Sequence, residues 1–215
     1  MCSYLVMTGV LETIPAIRTC CIPLAPRPVK PRHRRLRFLR CYNLSMPPTY
    51  RLVEADTIAL FEAAHTLIQE YGAEISATMS ADLCFQNFAA ELSELPAMYG
   101  PPSGCLLLAG RDDEWVGCCG LRRFSDEVCE MKRLYVRPSA RGAALGRRLI
   151  ERLLTAARSR GYRRMVLDTL EDMIPAQALY RSFGFRPTKP YYFNPIRGAS
   201  YMELDLGTAD TERRS

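Results

Sequence analysis

The residues with the clearest chemical meaning form a glycine-bearing turn between two strongly patterned segments. The turn, Arg141-Gly142-Ala143-Ala144-Leu145-Gly146, follows an apolar run ending at Val136 and opens a long amphipathic segment. Such a turn directs several backbone N–H groups outward, and the helix dipole adds partial positive charge at the same place. Glycine at 142 and 146 leaves room for a ligand to approach the chain. The pattern therefore indicates a diphosphate site, with a purely steric glycine turn as the alternative.

Two regular elements must hold this turn in place. Residues 128–136 are predicted to be a strand. Residues 145–159 are predicted to be a helix, because their apolar side chains fall on one stripe and Gly161 follows in the usual C-terminal position. The turn thus joins the end of a strand to the start of a helix.

The remaining elements follow from hydrophobic periodicity and turn residues. A first helix is predicted from an N-cap at Asp56 to Tyr71, ended by Gly72, and a second over residues 82–94, stopped before Pro96. Further segments are predicted as strands over 50–53, 105–109, 115–121, 164–169 and 200–206, a hairpin turn over 111–114 and a helix over 175–182. Hairpins followed by strand–helix–strand–helix–strand predict a mixed α/β sheet covered by helices.

Two motifs around the turn resemble the GNAT superfamily of N-acetyltransferases. Arg-Gly-x-x-Leu-Gly-Arg-x-Leu, which follows the strand end Leu134-Tyr135-Val136-Arg137-Pro138, is similar to motif A of that superfamily. Residues 176–185, Ala-Gln-Ala-Leu-Tyr-Arg-Ser-Phe-Gly-Phe, are similar to its motif B. The motifs stand in the superfamily's order and at its usual separation, and the resemblance covers roughly residues 50–206. It implies a single-domain α/β fold whose mixed, mostly antiparallel central sheet is flanked by helices.

The resemblance also implies acetyl-CoA as co-substrate and an amine as acceptor. The turn then holds the coenzyme through Arg141, Gly142, Ala143, Ala144, Leu145, Gly146 and Arg147. Backbone N–H groups of Leu134, Tyr135 and Val136 address the pantetheine arm and polarise the acetyl carbonyl, an oxyanion-type stabilisation. No metal is expected, because His33 and His65 have no neighbouring ligand set.

Glu130 and Tyr180 match the acid–base pair of the superfamily. Glu130 stands at the position of a carboxylate that takes the amine proton directly or through water. The structural alternative is that it only pairs with Lys132, Arg133 or another arginine. Tyr180 matches a tyrosine near the CoA sulfur, where a phenol can protonate the departing thiolate. Its alternative role is packing of a short helix.

One position departs from the superfamily's pattern. Motif B often carries asparagine seven residues before the tyrosine, and here that residue is Met173. The asparagine helps to hold the CoA arm. One polar contact is therefore expected to be missing or to come from another group.

The acceptor side is expected near the last strand. The segment 189–195 is aromatic and stiffened by proline, so Tyr191 and Tyr192 are predicted to wall the acceptor pocket, with ring packing on the sheet edge as the alternative. Arg122 is a candidate for binding an acceptor carboxylate, as is Arg133, although both are interpreted more simply as solvated strand residues.

Charge divides the chain into two parts. The net charge is +6 over 215 residues, and residues 1–45 carry +7 through eight basic side chains and Glu12, which leaves −1 for residues 46–215. Five prolines in residues 1–45 oppose a long helix. We expect a disordered basic extension there, either a tail, an organelle transit peptide or a stretch upstream of a native start at Met46, and an N-acetyltransferase domain over 46–215.

Composition bounds the other possibilities. No apolar run reaches the roughly 18 residues that a membrane span needs. Nine cysteines without a paired CxxC arrangement favour reduced thiols and a cytoplasmic protein, with organelle targeting by residues 1–45 left open. Nucleic-acid binding would fall to the tail, since the remainder is nearly neutral.

Three functions remain open at this point. The first is acetyl transfer to a primary amine of a small molecule or amino acid, which the cover-like segment 191–195 favours over long peptides. The second is protein acetylation at lysine or an N-terminus. The third is a non-catalytic acyl-CoA-binding regulatory domain. The acceptor, the acyl chain and the choice between monomer and homodimer are not determined by the sequence.

Overall fold

The computed structural model describes residues 49–79 and 88–207, which form seven strands and five α-helices. In chain order the elements are β1 (Arg51–Glu54), α1 (Ile58–Met79), α2 (Phe88–Ser93), α3 (Leu95–Tyr99), β2 (Cys105–Arg111), β3 (Glu114–Arg123), β4 (Val128–Val136), α4 (Leu145–Ser159), β5 (Arg164–Leu170), α5 (Ile174–Ser182), β6 (Arg186–Pro187) and β7 (Ala199–Asp205). A single 3-10 turn, Pro138–Ala140, lies between β4 and α4.

The strands form one sheet in the order β1-β2-β3-β4-β5-β7-β6. All neighbours are antiparallel except β4 and β5, which run parallel and pair over Val128–Glu130 and Arg164–Val166. The predicted mixed, mostly antiparallel sheet flanked by helices is thus confirmed. Because β4 continues to Val136 and β5 to Leu170, the two strands separate beyond their short paired region.

Both faces of the sheet are covered by helices. On one face α4 contributes fully buried Leu149, Ile150 and Leu153 to a core shared with Leu107 and Met165. On the other face α1 and α3 enclose a second core. Strand β2 serves both, since successive side chains point to opposite faces of a strand. A strand buried on both faces reads as a continuous apolar run, which explains Cys105-Leu106-Leu107-Leu108-Ala109.

The elements nearest to the turn were predicted well. Strand β4 and helix α4 have the predicted bounds, and β2, β3, β5, α5 and β7 differ from prediction by one or two residues at their ends. Gly161 follows α4 with φ of +82°, the left-handed conformation expected at a helix C-terminus.

The prediction for the first helix was wrong at both ends. Thr57, not Asp56, occupies the N-cap position before α1, because its carbonyl accepts the amides of Leu60 and Phe61. Gly72 does not end the helix, which continues to Met79. An added Cβ at Gly72 would lie 2.8 Å from the Phe88 ring. The glycine therefore permits close packing of α1 against α2 and is not a terminator.

The second predicted helix is divided. Residues 82–87 lie outside the described part of the chain, as do residues 1–45 and the proposed boundary at Met46. Helix α2 ends at Ser93, and Pro96 sits in the first turn of a separate helix, α3, where a missing N–H costs nothing. The two-residue strand β6 was not predicted, since a segment this short has no periodicity. Within residues 49–79 and 88–207, no helix has the length and apolarity needed to cross a membrane.

Candidate active site

The separation of β4 from β5 creates a cavity in the middle of the sheet. Beyond Glu130 and Val166 the strands no longer pair, so backbone groups of β4 face the gap. The walls come from both strands, from α1 and α5, and from the segment before β7: Tyr71, Ile75, Met131, Lys132, Arg133, Leu134, Leu167, Asp168, Thr169, Leu170, Met173, Ala176, Tyr180, Asn194 and Ile196. A gap lined by unpaired strand edges offers N–H donors for an extended ligand.

A bulge in β4 shapes one wall of this cavity. Cys118 pairs with Tyr135 and Gly120 with Lys132, so β4 has one residue more than β3 between these pairs. Arg133 lies in the bulge with φ of +57°, a conformation that side-chain-bearing residues adopt only at a cost. The bulge redirects the N–H groups of Leu134, Tyr135 and Val136 relative to a regular ladder.

A buried ion pair holds the bulge. The guanidinium of Arg133 donates two hydrogen bonds to Glu91 of α2, at 2.8 and 2.7 Å, and Tyr99 donates a third to the same carboxylate at 2.7 Å. Burial raises the pKa of Glu91, but the hydrogen bonds from Arg133 outweigh it and hold the pKa below its usual value. The Phe88 ring covers the guanidinium at 4.9 Å. The interpretation of Arg133 as a solvated strand residue was therefore wrong.

Four alternating charges, the charged row, cross the sheet beside the bulge. Arg122 on β3 is paired with Glu130 on β4 at 2.7 Å, Glu130 lies 3.5 Å from Lys132, and Lys132 lies 2.8 Å from Asp168 on β5. Tyr191 donates a further hydrogen bond to Glu130 at 2.8 Å. Glu130 is 1% exposed and is not among the residues that line the cavity. The expected pairing of Glu130 with neighbouring cations is present, and its part in proton transfer stays a prediction.

Tyr180 faces the cavity from α5. The side chain is 7% exposed, its ring lies 6.0 Å from that of Phe185, and its hydroxyl has no hydrogen-bond partner among the described residues. Burial raises the pKa of this phenol, so the proton is retained at neutral pH. A protonated hydroxyl on the wall of the gap is available to an incoming group that gains negative charge.

The turn before α4 forms an open cradle. Gly142 has φ of +83°, and a Cβ there would meet nothing within 4 Å. Ala144 occupies the N-cap position of α4 in the left-handed conformation and supplies no side-chain cap. The first N–H groups of α4 are therefore left for an external acceptor, and the dipole of the 15-residue helix favours an anion there. The geometry fits a diphosphate, although Gly146 has a steric reason as well: its Cβ would lie 3.3 Å from Leu179 of α5.

Two arginines flank the cradle. Arg141 donates to the Val136 carbonyl at 2.9 Å and to both oxygens of Glu74 on α1. Arg147 donates to Ser182 at 2.8 Å and stacks on Phe183 at 4.7 Å. Both side chains are roughly half exposed, so they can turn towards a phosphate. Of the predicted coenzyme-binding residues, Leu134 lines the cavity, and Arg141 ties the turn to the end of β4 through the Val136 carbonyl.

The position that departs from motif B also faces the cavity. Met173 lines the wall and accepts a weak contact from the Thr169 hydroxyl at 3.8 Å. Gln177 takes over the polar link between α5 and β5, since its amide donates to the Leu170 and Glu171 carbonyls. The local structure is thus tied down without an asparagine at position 173.

The aromatic segment before β7 closes the same region. Tyr191 and Tyr192 pack against Tyr201, with ring centroids 5.3 and 5.7 Å apart. Their hydroxyls donate to Glu130 and Asp168 at 2.8 and 2.6 Å. The cavity wall itself is made by Asn194 and Ile196 of this segment, whereas neither tyrosine is part of it. The two rings pack against the sheet through Tyr201. A substrate-binding role for Tyr191, Tyr192 and Arg122 stays a prediction.

Buried free cysteines lie in strands β2, β3 and β4. Burial raises the pKa of the thiols of Cys105, Cys118 and Cys129 to about 12, so these thiols are protonated. No group of three or more potential metal ligands occurs within residues 49–79 and 88–207.

Sequence reasoning missed several residues of the site. Lys132 was considered only as a partner of Glu130, and Asp168 and Glu91 were not considered at all. Asp168 carried a usable signal, since a charged residue inside the otherwise apolar strand 164–170 needs a partner. Glu91 carried none, because its partner Arg133 is 42 residues away in the chain.

Strands β4 and β5 thus separate, and the phenol of Tyr180 lines the gap between them. The chain belongs to the Acetyltransferase (GNAT) family, whose model matches residues 50–185. It is an acetyl-CoA-dependent N-acetyltransferase. An uncharacterised N-acetyltransferase of Schizosaccharomyces pombe is 46% identical over 143 residues, 65% of this chain and 85% of that protein. An IAA acetyltransferase of Azospirillum brasilense is 37% identical over 104 residues, 46% of this chain and 67% of that protein.

Solved structures share the fold. An acetyltransferase from Streptococcus agalactiae superposes with a TM-score of 0.62 at 23% identity and covers 73% of this chain and 98% of its own. An N-acetyltransferase from Thermoplasma acidophilum in complex with coenzyme A superposes with a TM-score of 0.58 at 14% identity, covering 73% and 99%. At these identities the likeness concerns the fold.

Proposed function

We propose that this protein transfers the acetyl group of acetyl-CoA to the primary amine of a small molecule or amino acid. The observation that carries the proposal is the convergence on one cavity of Tyr180, the bulged end of β4 and the Lys132–Asp168 end of the charged row. The coenzyme supplies an activated thioester. The chain supplies the cradle at 141–147 and the N–H groups of 134–136, which position the thioester and polarise its carbonyl.

The transfer joins the amine nitrogen to the acetyl carbon and breaks the carbon–sulfur bond. Glu130 takes the proton that the amine loses, and it acts through water because its carboxylate does not reach the cavity wall. Tyr180 gives its proton to the departing sulfur, and the proton held by Glu130 returns to the phenolate through solvent. The balance is one amine and one thioester consumed, one amide and one thiol formed.

The acceptor side supports a small substrate. Asn194 and Ile196 lie across the cavity, and their segment is fastened to the sheet by the Tyr191 and Tyr192 hydroxyls. A long peptide would need this cover to move. The Azospirillum relative is named an IAA acetyltransferase, and a small-molecule acceptor of this kind agrees with a compact acceptor site.

The test combines an acceptor panel with a tyrosine variant. The full chain is assayed with acetyl-CoA against amines, amino acids and peptides, and both thiol release and product mass are measured. Tyr180→Phe is expected to lower kcat by about 100-fold or more with unchanged CoA affinity, because it removes only the acid. Glu130→Gln is expected to lower kcat, because it removes the proposed proton acceptor.

Tyr162→Phe is the matched control for Tyr180→Phe. Tyr162 is equally buried, and its hydroxyl donates to the Ser103 carbonyl away from the cavity. The kcat of the Tyr162→Phe variant is expected to stay at the wild-type value. Turnover of peptides alone would contradict the small-molecule acceptor, and CoA binding without turnover of any acceptor would contradict catalysis itself.

A further inference from the structure

One end of the charged row opens into the cavity. Among the described residues, Lys132 and Asp168 line it, whereas Arg122 and Glu130 do not. The Lys132 and Asp168 side chains are only 5% and 10% exposed, and their ammonium and carboxylate are 2.8 Å apart. The feature that meets a ligand is therefore a pair of largely buried opposite charges on the cavity wall.

The charges around the cavity already cancel. The charged row holds two cations and two anions, and Arg133 is neutralised by Glu91. A further isolated cation would remain uncompensated in surroundings from which water is largely removed, and this is costly. A ligand that carries one charge of each sign avoids that cost.

We propose that Lys132 and Asp168 form the docking pair for the head group of an α-amino acid. Asp168 holds the ammonium, and Lys132 holds the carboxylate carried by the same carbon atom. Ligand and docking pair then form a ring of four alternating charges, in which each group has two partners of opposite sign. The inference rests on the proposed function and narrows its acceptor to amino acids.

The surroundings of the pair fit this role. Tyr192 donates to Asp168 at 2.6 Å and Asn194 at 3.3 Å, so the carboxylate is fixed in orientation. Burial raises the pKa of Asp168, but Lys132 and the Tyr192 hydroxyl bring it below its ordinary value. Asp168 thus stays charged and positions the amine without deprotonating it. Arg133, the other cation on the wall, is committed to Glu91 by two hydrogen bonds.

The test compares acceptors that differ by one carboxylate. Specificity constants are measured for L-phenylalanine and 2-phenylethylamine, and for further pairs of this kind. We expect the wild type to prefer the amino acid by at least 10-fold. In Lys132→Met the ratio of the two constants is expected to fall by about 10- to 100-fold, the range of a charge-assisted hydrogen bond. The change should fall mainly on KM, because Lys132 holds the carboxylate of the acceptor and not the nitrogen that reacts.

Two further variants keep the result interpretable. Lys189→Met removes an exposed lysine from the aromatic segment 189–195 and should leave the ratio of the two specificity constants unchanged. If Lys132→Met fails to fold, the double variant Lys132→Met, Asp168→Asn removes both charges together, and its CoA affinity reports whether the cradle is intact. It should lose the preference for the carboxylate while it still binds CoA.

Failure of the inference is distinct from failure of the proposed function. If the wild type acetylates amines and amino acids equally well, or if Lys132→Met lowers both constants by the same factor, the docking pair is refuted and small-molecule transfer stands. If no small amine or amino acid is acetylated, the proposed function itself is refuted.

Discussion

Arg133 combines two features that are unfavourable alone: a left-handed backbone conformation and a guanidinium that is 3% exposed. Both are offset by Glu91, whose carboxylate accepts two charge-assisted hydrogen bonds from the guanidinium. Removal of either partner would leave the other charged and buried. The ion pair therefore links the stability of the fold to the shape of the bulge that faces the cavity.

Glu91→Gln is expected to destabilise the protein by about 3 kcal/mol at pH 7, since it leaves Arg133 without its counter-charge. The folded-state pKa of Glu91 is lowered, so its contribution is present above the unfolded pKa of about 4.3 and is lost as pH falls through the folded value. The difference from wild type should thus shrink below about pH 4. Urea unfolding at several pH values measures this difference in the free energy of unfolding.

Glu203→Gln is the control for this comparison. Glu203 pairs with Arg164 at 3.4 Å on the surface, where both side chains are more than one-third exposed. Its loss should cost less than about 1 kcal/mol. Equal effects of the two variants, or a Glu91→Gln deficit that persists in acid, would contradict the account of the buried pair.

At the scale of elements, helix α4 has a glycine in the left-handed conformation near each end. Gly142 precedes it with φ of +83° and Gly161 follows it with φ of +82°, and a Cβ at either position would meet nothing within 4 Å. The conformational demand is the same at both positions. The proposed roles differ, because only Gly142 belongs to the cradle.

Gly142→Ala and Gly161→Ala are expected to lose similar stability, about 1–2 kcal/mol, the cost of placing a side chain in the left-handed region. Only Gly142→Ala should also weaken CoA binding, by an expected factor of about 10, as its Cβ projects towards the bound diphosphate. Thermal melting and calorimetric titration with CoA measure the two effects. Equal CoA affinity in both variants would contradict the cradle.

At the scale of the whole molecule, residues 46–215 carry almost no net charge. The elements described here lie between Arg51 and Asp205, and residues 46–215 sum to −1. The net charge of +6 therefore reports on residues 1–45 and not on the surface around the site. The total charge therefore does not indicate a nucleic-acid-binding surface on residues 46–215, because the excess of basic side chains lies in residues 1–45.

A chain that starts at Met46 is expected to keep the wild-type melting temperature, CoA affinity and kcat, because the described core and cavity use no residue before Tyr50. Any affinity for nucleic acid should be confined to the full-length chain and should fall steeply with salt. A truncated protein that melts substantially earlier, or that loses turnover, would show that residues 1–45 take part in the fold.

The sequence by itself determined the parts whose signal is local. The apolar stripe on α4, the strand β4 and the helix end at Gly161 depend on neighbours within a few residues, and these structural predictions were confirmed. Local signals also misled at Gly72, where the glycine serves contact with Phe88, a residue 16 positions away. A terminator and a packing glycine look the same until the partner is known.

Only the tertiary structure decided what the polar residues of the sheet do. Lys132 reaches Asp168 across 36 residues of chain and Arg133 reaches Glu91 across 42, through the parallel pairing of β4 with β5 and the packing of α2 on β4. Coulomb energy depends on distance in space and on burial, neither of which sequence spacing contains. The glycine-bearing turn before α4 could therefore be predicted from the sequence, whereas the charge pairs beside the cavity could not.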